Sequence, residues 1–343
     1  MFWQLWYALK SYEQTMPKNA LFNVVATVGI DETHPRHIKE YEQILAKMYD
    51  EFPFFWAITH KSAVSLGYPR SYNKILGPSL LPDSDIWDNI LPNVVTLDVD
   101  VLLTNPFPAA YYVNKGEMRF WEAIGIAPTL DILLNNPYGP SLLRAGGIWD
   151  KKEKWFQHSA YHQLHKEDLE TYFKDQKEVY KNLYPVFKAY EDDETIKEKQ
   201  ANFGVWFNEM YSAAFAAIRL GFDISFYDSP FHTSNAEFDI PHTHAIFLHF
   251  FIGAKDGRFW SKFWDFAFPF TDKEWIAIET ANKALKKEKH FINTKYIVKF
   301  LLKHRKKFNK YRELRDKEYN DVVDIPSHDT FSCAYCKKRI NEW

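Results

Sequence analysis

Two aspartates set two residues apart, Asp98 and Asp100, lie between the apolar runs Val94-Val95-Thr96-Leu97 and Val101-Leu102-Leu103. Residues i and i+2 of an extended strand point to the same side. The spacing therefore predicts two carboxylates converging on one hard cation where a strand runs out. Oxygen ligands of this kind suit Mg²⁺ or Mn²⁺, often shared with substrate phosphates. The plain alternative is a strand that stops in a turn, where Asp is common for conformational reasons. A second set follows the apolar run Ala245-Ile246-Phe247-Leu248 at His249, Gly253 and Lys255. Imidazole is a borderline ligand that suits Mn²⁺, glycine lets backbone approach a phosphate, and lysine brings a point charge to a diphosphate. A buried histidine and a surface lysine would explain the same residues.

The elements that must position these groups alternate. Phe22–Val28 and Phe54–Thr59 read as β-branched or aromatic strands, with a helix between them opened by Thr33 and Pro35 and running to about Tyr49. Ser71–Leu80 reads as helical with a break at Gly77-Pro78. Between Tyr161 and Gln200 the charged, periodic sequence predicts a pair of surface helices, and Trp206–Leu220 predicts a small-residue helix ended by Gly221. Asp223–Tyr227 is a strand candidate, Thr271-Asp272-Lys273-Glu274 is a capping box, and Asn293–Glu318 predicts a basic helix. Alternation of this kind argues for an α/β fold on a mostly parallel sheet, with ligands at the carboxyl ends of its strands.

A chain of 343 residues can bury a large core. No apolar run reaches the roughly 18–20 residues of a membrane helix, and the first ten residues lack the basic start of a secretory signal. The expected location is the cytoplasm, with peripheral membrane association open. Cys333 and Cys336 are the two cysteines, which excludes a disulfide framework. They supply half of a zinc site, and His232, His242 and His244 lack the helical His-x-x-x-His with a neighbouring Glu that a zinc hydrolase needs. The net charge of −2 hides an uneven distribution. Residues 283–317 hold fourteen Lys or Arg against three Asp or Glu, which suits a peripheral contact with anionic membrane or a solvated helix face. Confined charge without a recognised binding motif argues against a nucleic-acid partner.

Together the two sets resemble glycosyltransferases of the GT-A fold, which use a nucleotide-sugar donor and a divalent metal. The nearest likeness is to the glycogenin and bacterial lipopolysaccharide galactosyltransferase family. There an apolar-Asp-x-Asp strand is paired with a late His-x-x-Gly-x-x-Lys-Pro-Trp loop whose His is the third metal ligand. Leu97-Asp98-Val99-Asp100 matches the first element, and His249, Gly253 and Lys255 match the second with the His-to-Lys spacing kept, the Gly moved by one residue and Pro-Trp absent. The resemblance implies Asp98, Asp100 and His249 as metal ligands, and Asp98, Gly253 and Lys255 as donor contacts. Ala26 and Thr27 resemble the first strand that meets the nucleoside, Lys74 the basic helix residue that reaches toward the donor, and Gly146-Gly147 the small-residue segment beneath the donor sugar.

Trp206-Phe207-Asn208-Glu209 resembles the Trp-x-Asp-Glu element of the blood-group A and B transferase family, with Asn208 in place of Asp. This implies Asn208 and Glu209 beside the anomeric carbon, with Glu209 as nucleophile, electrostatic stabiliser or sugar-hydroxyl acceptor. A glutamate favoured at a helix N-terminus by the macrodipole is the structural alternative. Trp149, Trp155 and Trp206 are available to stack on sugar rings, although most such residues serve packing. What the resemblance implies is a Rossmann-like GT-A domain at 1–270 and a basic helical extension at 271–343. The implied activity is retaining transfer of a sugar, a hexose of a UDP-sugar, to a glycan, lipid-linked or protein acceptor, with Mn²⁺ or Mg²⁺. The alternative is a non-catalytic nucleotide- or glycan-binding protein on the same fold.

Overall fold

The computed structural model describes residues 2–30, 44–99, 101–103, 105–107, 112–121, 127–158, 161–200, 202–227, 232–234, 246–249, 272–287, 298–299, 301–306 and 309. Its order is α1 (Phe2–Thr15), β1 (Val24–Ile30), helical residues 44–51 (α2), β2 (Phe55–Lys61), α3 (Asn73–Leu76), β3 (Asn93–Thr96), β4 (Val101–Leu103) and β5 (Glu117–Trp121). Then come α4 (Leu130–Asn135), α5 (Gly139–Ala145), β6 (His162–His165), α6 (Leu169–Asp192), α7 (Asn208–Leu220), β7 (Asp223–Tyr227), β8 (His232–Ser234), β9 (Phe247–His249) and α8 (Asp272–Leu285). The protein is α/β. Among the described residues no helix is long and apolar enough to cross a membrane.

The described strands form three groups: a parallel pair β1-β2, a mixed sheet β3-β6-β5-β7, and a mixed sheet β4-β9-β8. This corrects the expectation of one mostly parallel sheet. β6 runs antiparallel to both β3 and β5, whereas β7 is parallel to β5, so β3, β5 and β7 end at one edge and β6 begins there. The sequence of β6, His-Gln-Leu-His, carries no apolar alternation, because its buried positions include His162 and Gln163. By contrast β2 shows a continuous buried run, Phe55 to Ile58, as a strand covered on both faces should.

β3 stops at Thr96, just before Asp98; the Val101 N–H then donates to the Asp98 carbonyl at 3.2 Å, closing a turn, and the chain enters β4 in another sheet. One further expectation is revised. In place of paired surface helices there is β6 and then the single 24-residue α6, which contains Pro185. Its stripe Leu169, Tyr172, Phe173, Val179, Tyr180 and Leu183 is buried, at the 3.6-residue period that holds one helix against a sheet. α6 and α7 cover the mixed sheet, with Tyr172 and Phe173 of α6 and Ala213, Ala216 and Ala217 of α7 meeting Met118, Phe120 and Leu164. Small residues let α7 approach closely, and Gly221, at φ 75°, ends it as read.

Another cluster gathers Leu5, Leu9 and Tyr12 of α1, Phe55 of β2, Val101 to Leu103 of β4 and Phe247 of β9. Trp275, Ile278, Val298 and Leu301 of the C-terminal segment join it, so the described part of that extension shares this core. α5 reaches α7 through Gly146, whose added Cβ would lie 1.9 Å from Phe215 Cδ2. Overpacking of that kind costs about 1–3 kcal/mol. Gly146→Ala is therefore expected to lower unfolding stability by that amount in urea titrations; unchanged stability would show that the α5–α7 crossing is not close.

Candidate active site

Asp98 emerges just past β3, at the edge where β5 and β7 also end. Opposite it stands Lys74 on α3, a short helix seated on β1 by two close approaches. An added Cβ at Gly29 would fall 2.7 Å from Asn73 Oδ1, and one at Gly77 would fall 2.4 Å from Thr27 Oγ1. Asn73 Oδ1 also accepts the Ala63 N–H at 2.7 Å, fixing the first turn of α3. From this seat the Lys74 ammonium lies 3.0 Å from Asp98 Oδ1 and Oδ2 and 2.9 Å from Glu209 Oε1. The Tyr161 hydroxyl donates to Asp98 Oδ2 at 3.2 Å. Four segments far apart in sequence thus converge on one ammonium and two carboxylates.

Glu209 sits in the first turn of α7 with only 8% of its side chain accessible. Burial pushes its carboxyl above the ordinary value, and the Lys74 charge pulls the other way. Its second oxygen, Oε2, is buried and has no hydrogen-bond partner. For Lys74, burial works to lower the pKa, but the Asp98 and Glu209 charges outweigh it and hold the ammonium protonated. Asn208 donates from Nδ2 to the Tyr180 carbonyl at 3.0 Å and leaves Oδ1 buried without a partner. It ties the start of α7 to α6 beside Glu209.

The predicted residues divide into three sets. Lys74, Asp98 and Glu209 are brought together, with Asn208 adjacent to Glu209. Ala26 and Thr27 lie mid-strand, since β1 continues to Ile30, and Thr27 supports α3 at Gly77. Gly146 packs on Phe215, and Gly147, at φ 70°, lies beside Arg219. Those partners are six and ten residues beyond Glu209, about 9 and 15 Å along α7, so the glycines join α5 to α7 and stay apart from the Lys74 cluster. Asp100, Gly253 and Lys255 lie outside the described residues. Of the tryptophans, Trp206 is 62% exposed three residues before Glu209, Trp155 is buried, and Trp149 is covered by Arg144 at 4.2 Å.

The backbone of His249 is described, and it pairs with Val101 across β4 and β9. The Val101 N–H is already given to Asp98 and its carbonyl to the Tyr12 hydroxyl. This is therefore a non-hydrogen-bonded antiparallel pair, with Cα atoms about 4.5 Å apart. The register places His249 across from the residue that follows Asp100, three positions after Asp98. Among the described residues no three His, Cys, Asp or Glu side chains converge; Asp98 is the described member of the expected metal set. Both Asp98 oxygens face the Lys74 ammonium, and Oδ2 also accepts the Tyr161 hydroxyl.

Tyr161 gave no signal in sequence, being an aromatic ahead of a strand that itself went unread. Comparison with family models, curated proteins and solved structures found no match for the chain.

Lys74→Met would leave Glu209 buried with burial and the Asp98 charge both raising its pKa. Breaking a fully buried pair costs about 3–5 kcal/mol; Lys74 keeps 40% of its side-chain surface, so solvent screening reduces the expected loss to about 1–2 kcal/mol. A carboxyl with raised folded pKa favours the fold at low pH, where it is protonated. The stability deficit of Lys74→Met against wild type is expected to shrink on acidification from pH 8 to pH 5. A deficit that is constant or grows toward acid in urea titrations would contradict this charge balance.

Proposed function

We propose that this protein is a metal-dependent glycosyltransferase that moves a sugar, a hexose of a UDP-sugar, to a glycan, lipid-linked or protein acceptor with retention. The observation that carries the reading is the Lys74 ammonium between Asp98 and Glu209. These three residues were each singled out for a different part of such a site, and they meet in space. Asp98, with Asp100 and His249, would hold Mn²⁺ or Mg²⁺. Such an ion, when bound, supplies charge that stabilises a diphosphate leaving group.

Within this reading Lys74 contributes a fixed positive charge beside the same leaving group. By the resemblance, Lys255 would add a second such charge and Gly253 would leave room for the phosphates; both lie outside the described residues. Tyr161 fixes the orientation of the Asp98 carboxylate. Glu209 Oε2, buried without a partner, is an acceptor for a sugar hydroxyl and a negative charge facing an oxocarbenium-like centre. Asn208 holds Glu209 at the start of α7.

Wild-type protein incubated with UDP-hexoses and Mn²⁺ is expected to release UDP, and Glu209→Gln to do so at least about 10²-fold more slowly. No Mn²⁺-dependent binding or turnover of any nucleotide sugar would refute the reading; binding without turnover would favour a non-catalytic sugar-nucleotide receptor. We also propose peripheral contact with anionic membrane through 283–317, where Lys283, Lys286, Lys287, Lys299, Lys303 and Lys306 are exposed. Co-sedimentation is expected with vesicles containing phosphatidylserine and not with neutral phosphatidylcholine. Equal binding to both, or to neither, would count against it.

A further inference from the structure

The turn that follows β2 ends in an apolar tip that its own hydrogen bonds hold in solvent. At its base the Ser62 N–H donates to the Ile30 carbonyl at 2.8 Å and the Ala63 N–H to Asn73 Oδ1 at 2.7 Å, which ties the turn to β1 and α3. The Leu66 and Tyr68 N–H groups both donate to the Ala63 carbonyl, at 3.0 and 2.9 Å, and Gly67 closes the loop at φ 79°. Ala63 is buried, yet Val64 and Leu66 remain 47% and 44% exposed. A single exposed aliphatic residue is ordinary on a protein surface, so the surroundings decide what the pair is for.

Those surroundings are aromatic and basic. Tyr68, just past the tip, packs on Tyr72 at 4.7 Å and on Tyr184 of α6 at 5.8 Å between ring centroids. On the same helix the Val205 N–H donates to Glu191 Oε1 at 2.7 Å, and Asn208 Nδ2 donates to the Tyr180 carbonyl at 3.0 Å. These two contacts bracket Tyr184 and lay residues 205–208 along that stretch of α6, with Trp206 62% exposed. From Phe52 to Pro82 the chain has no acidic residue, and its cations are Lys61, Arg70 and Lys74. Lys61 and Arg70 are exposed on either side of the tip, and Lys181 is exposed three residues before Tyr184, on the same side of α6. Burial and then the Lys181 charge lower the pKa of Lys177, so positive charge accumulates here; Asp83, also near Lys177, offsets part of it.

We propose that this face docks on an anionic lipid bilayer: Val64, Leu66 and Trp206 enter the acyl boundary while Lys61, Arg70 and Lys181 meet the headgroups. Aliphatic and indole groups ringed by long cationic side chains match those two layers in turn. The docking stands on this surface alone and is separate from the contact through 283–317. Asn73 ties the same turn to α3, which carries Lys74, so docking sets the Lys74 cluster beside the bilayer. One consequence rests on the transferase reading: of the three acceptor classes, it selects the lipid-linked one.

Titration with vesicles of equimolar phosphatidylserine and phosphatidylcholine, the latter brominated on its acyl chains, tests the docking, because bromine quenches only indoles that reach those chains. Wild-type tryptophan fluorescence is expected to fall on binding, and Trp206→Phe to lose most of that quenching. Val64→Ser/Leu66→Ser is expected to need about tenfold more lipid or beyond, from the apolar area that no longer leaves water. Ile132→Ser, at a residue 50% exposed on α4, should match wild type. Near-ultraviolet circular dichroism confirms that each variant is folded, and Leu66→Ser alone serves if the double variant is not. Flotation of wild type without quenching, or quenching unchanged by Trp206→Phe and by the double variant, would overturn the proposal and return the contact to 283–317. Equal weakening in Ile132→Ser would overturn it as well. Absence of vesicle binding would do the same, and a dimer in analytical ultracentrifugation that the double variant dissolves would then give the face to a second copy. UDP release is measured in solution without lipid, so failure of the transferase reading is scored separately.

Discussion

One ammonium held between two carboxylates organises the centre of this protein. Lys74 comes from a short helix on β1, Asp98 from the turn after β3, and Glu209 from the first turn of α7. Two carboxylates this close, one of them almost fully buried, would repel each other and resist ionisation without a cation. The ion pair therefore constrains where β3, α3 and α7 end. The two glycine crossings at β1, the alanine face of α7 and the Asn208 bond to α6 are the packing solutions that let those three ends meet.

The trio also accounts for the chemistry assigned to the site. Burial raises the pKa of the Glu209 carboxyl against the pull of the Lys74 charge, and its Oε2 is buried without a hydrogen-bond partner. A buried acceptor without a partner carries a desolvation cost of about 1–3 kcal/mol. Costs of that kind persist where a ligand relieves them. In the proposed glycosyltransferase reading, a sugar hydroxyl at Glu209 Oε2 would relieve that cost.

Much of this was legible in the sequence where chemistry and local pattern coincide. Lys74, Asp98 and Glu209 are charged residues at the ends of well-patterned elements, and β1, β2, α7 and β7 carry ordinary periodic or β-branched signals. The mixed sheet was hidden because β6 is built of buried polar residues, His162 and Gln163, which break the alternation that reveals strands. The split of 94–103 into β3 and β4 depends on a backbone hydrogen bond across the Asp98 turn, and two adjacent apolar runs give no sign of it. Gly146 and Gly147, read as lying beneath a donor sugar, also bring α5 against Phe215 and Arg219. α1 went unread as an element, although Leu5, Leu9 and Tyr12 have helical spacing.

The central claim is that Asp98 and its surroundings bind a cation and a diphosphate jointly. Isothermal titration of UDP into the protein, with and without Mn²⁺, on wild type and Asp98→Asn, tests it most directly. The account predicts that Mn²⁺ strengthens UDP binding to wild type and that Asp98→Asn removes this gain. UDP affinity indifferent to Mn²⁺, or a gain that survives in Asp98→Asn, would contradict it.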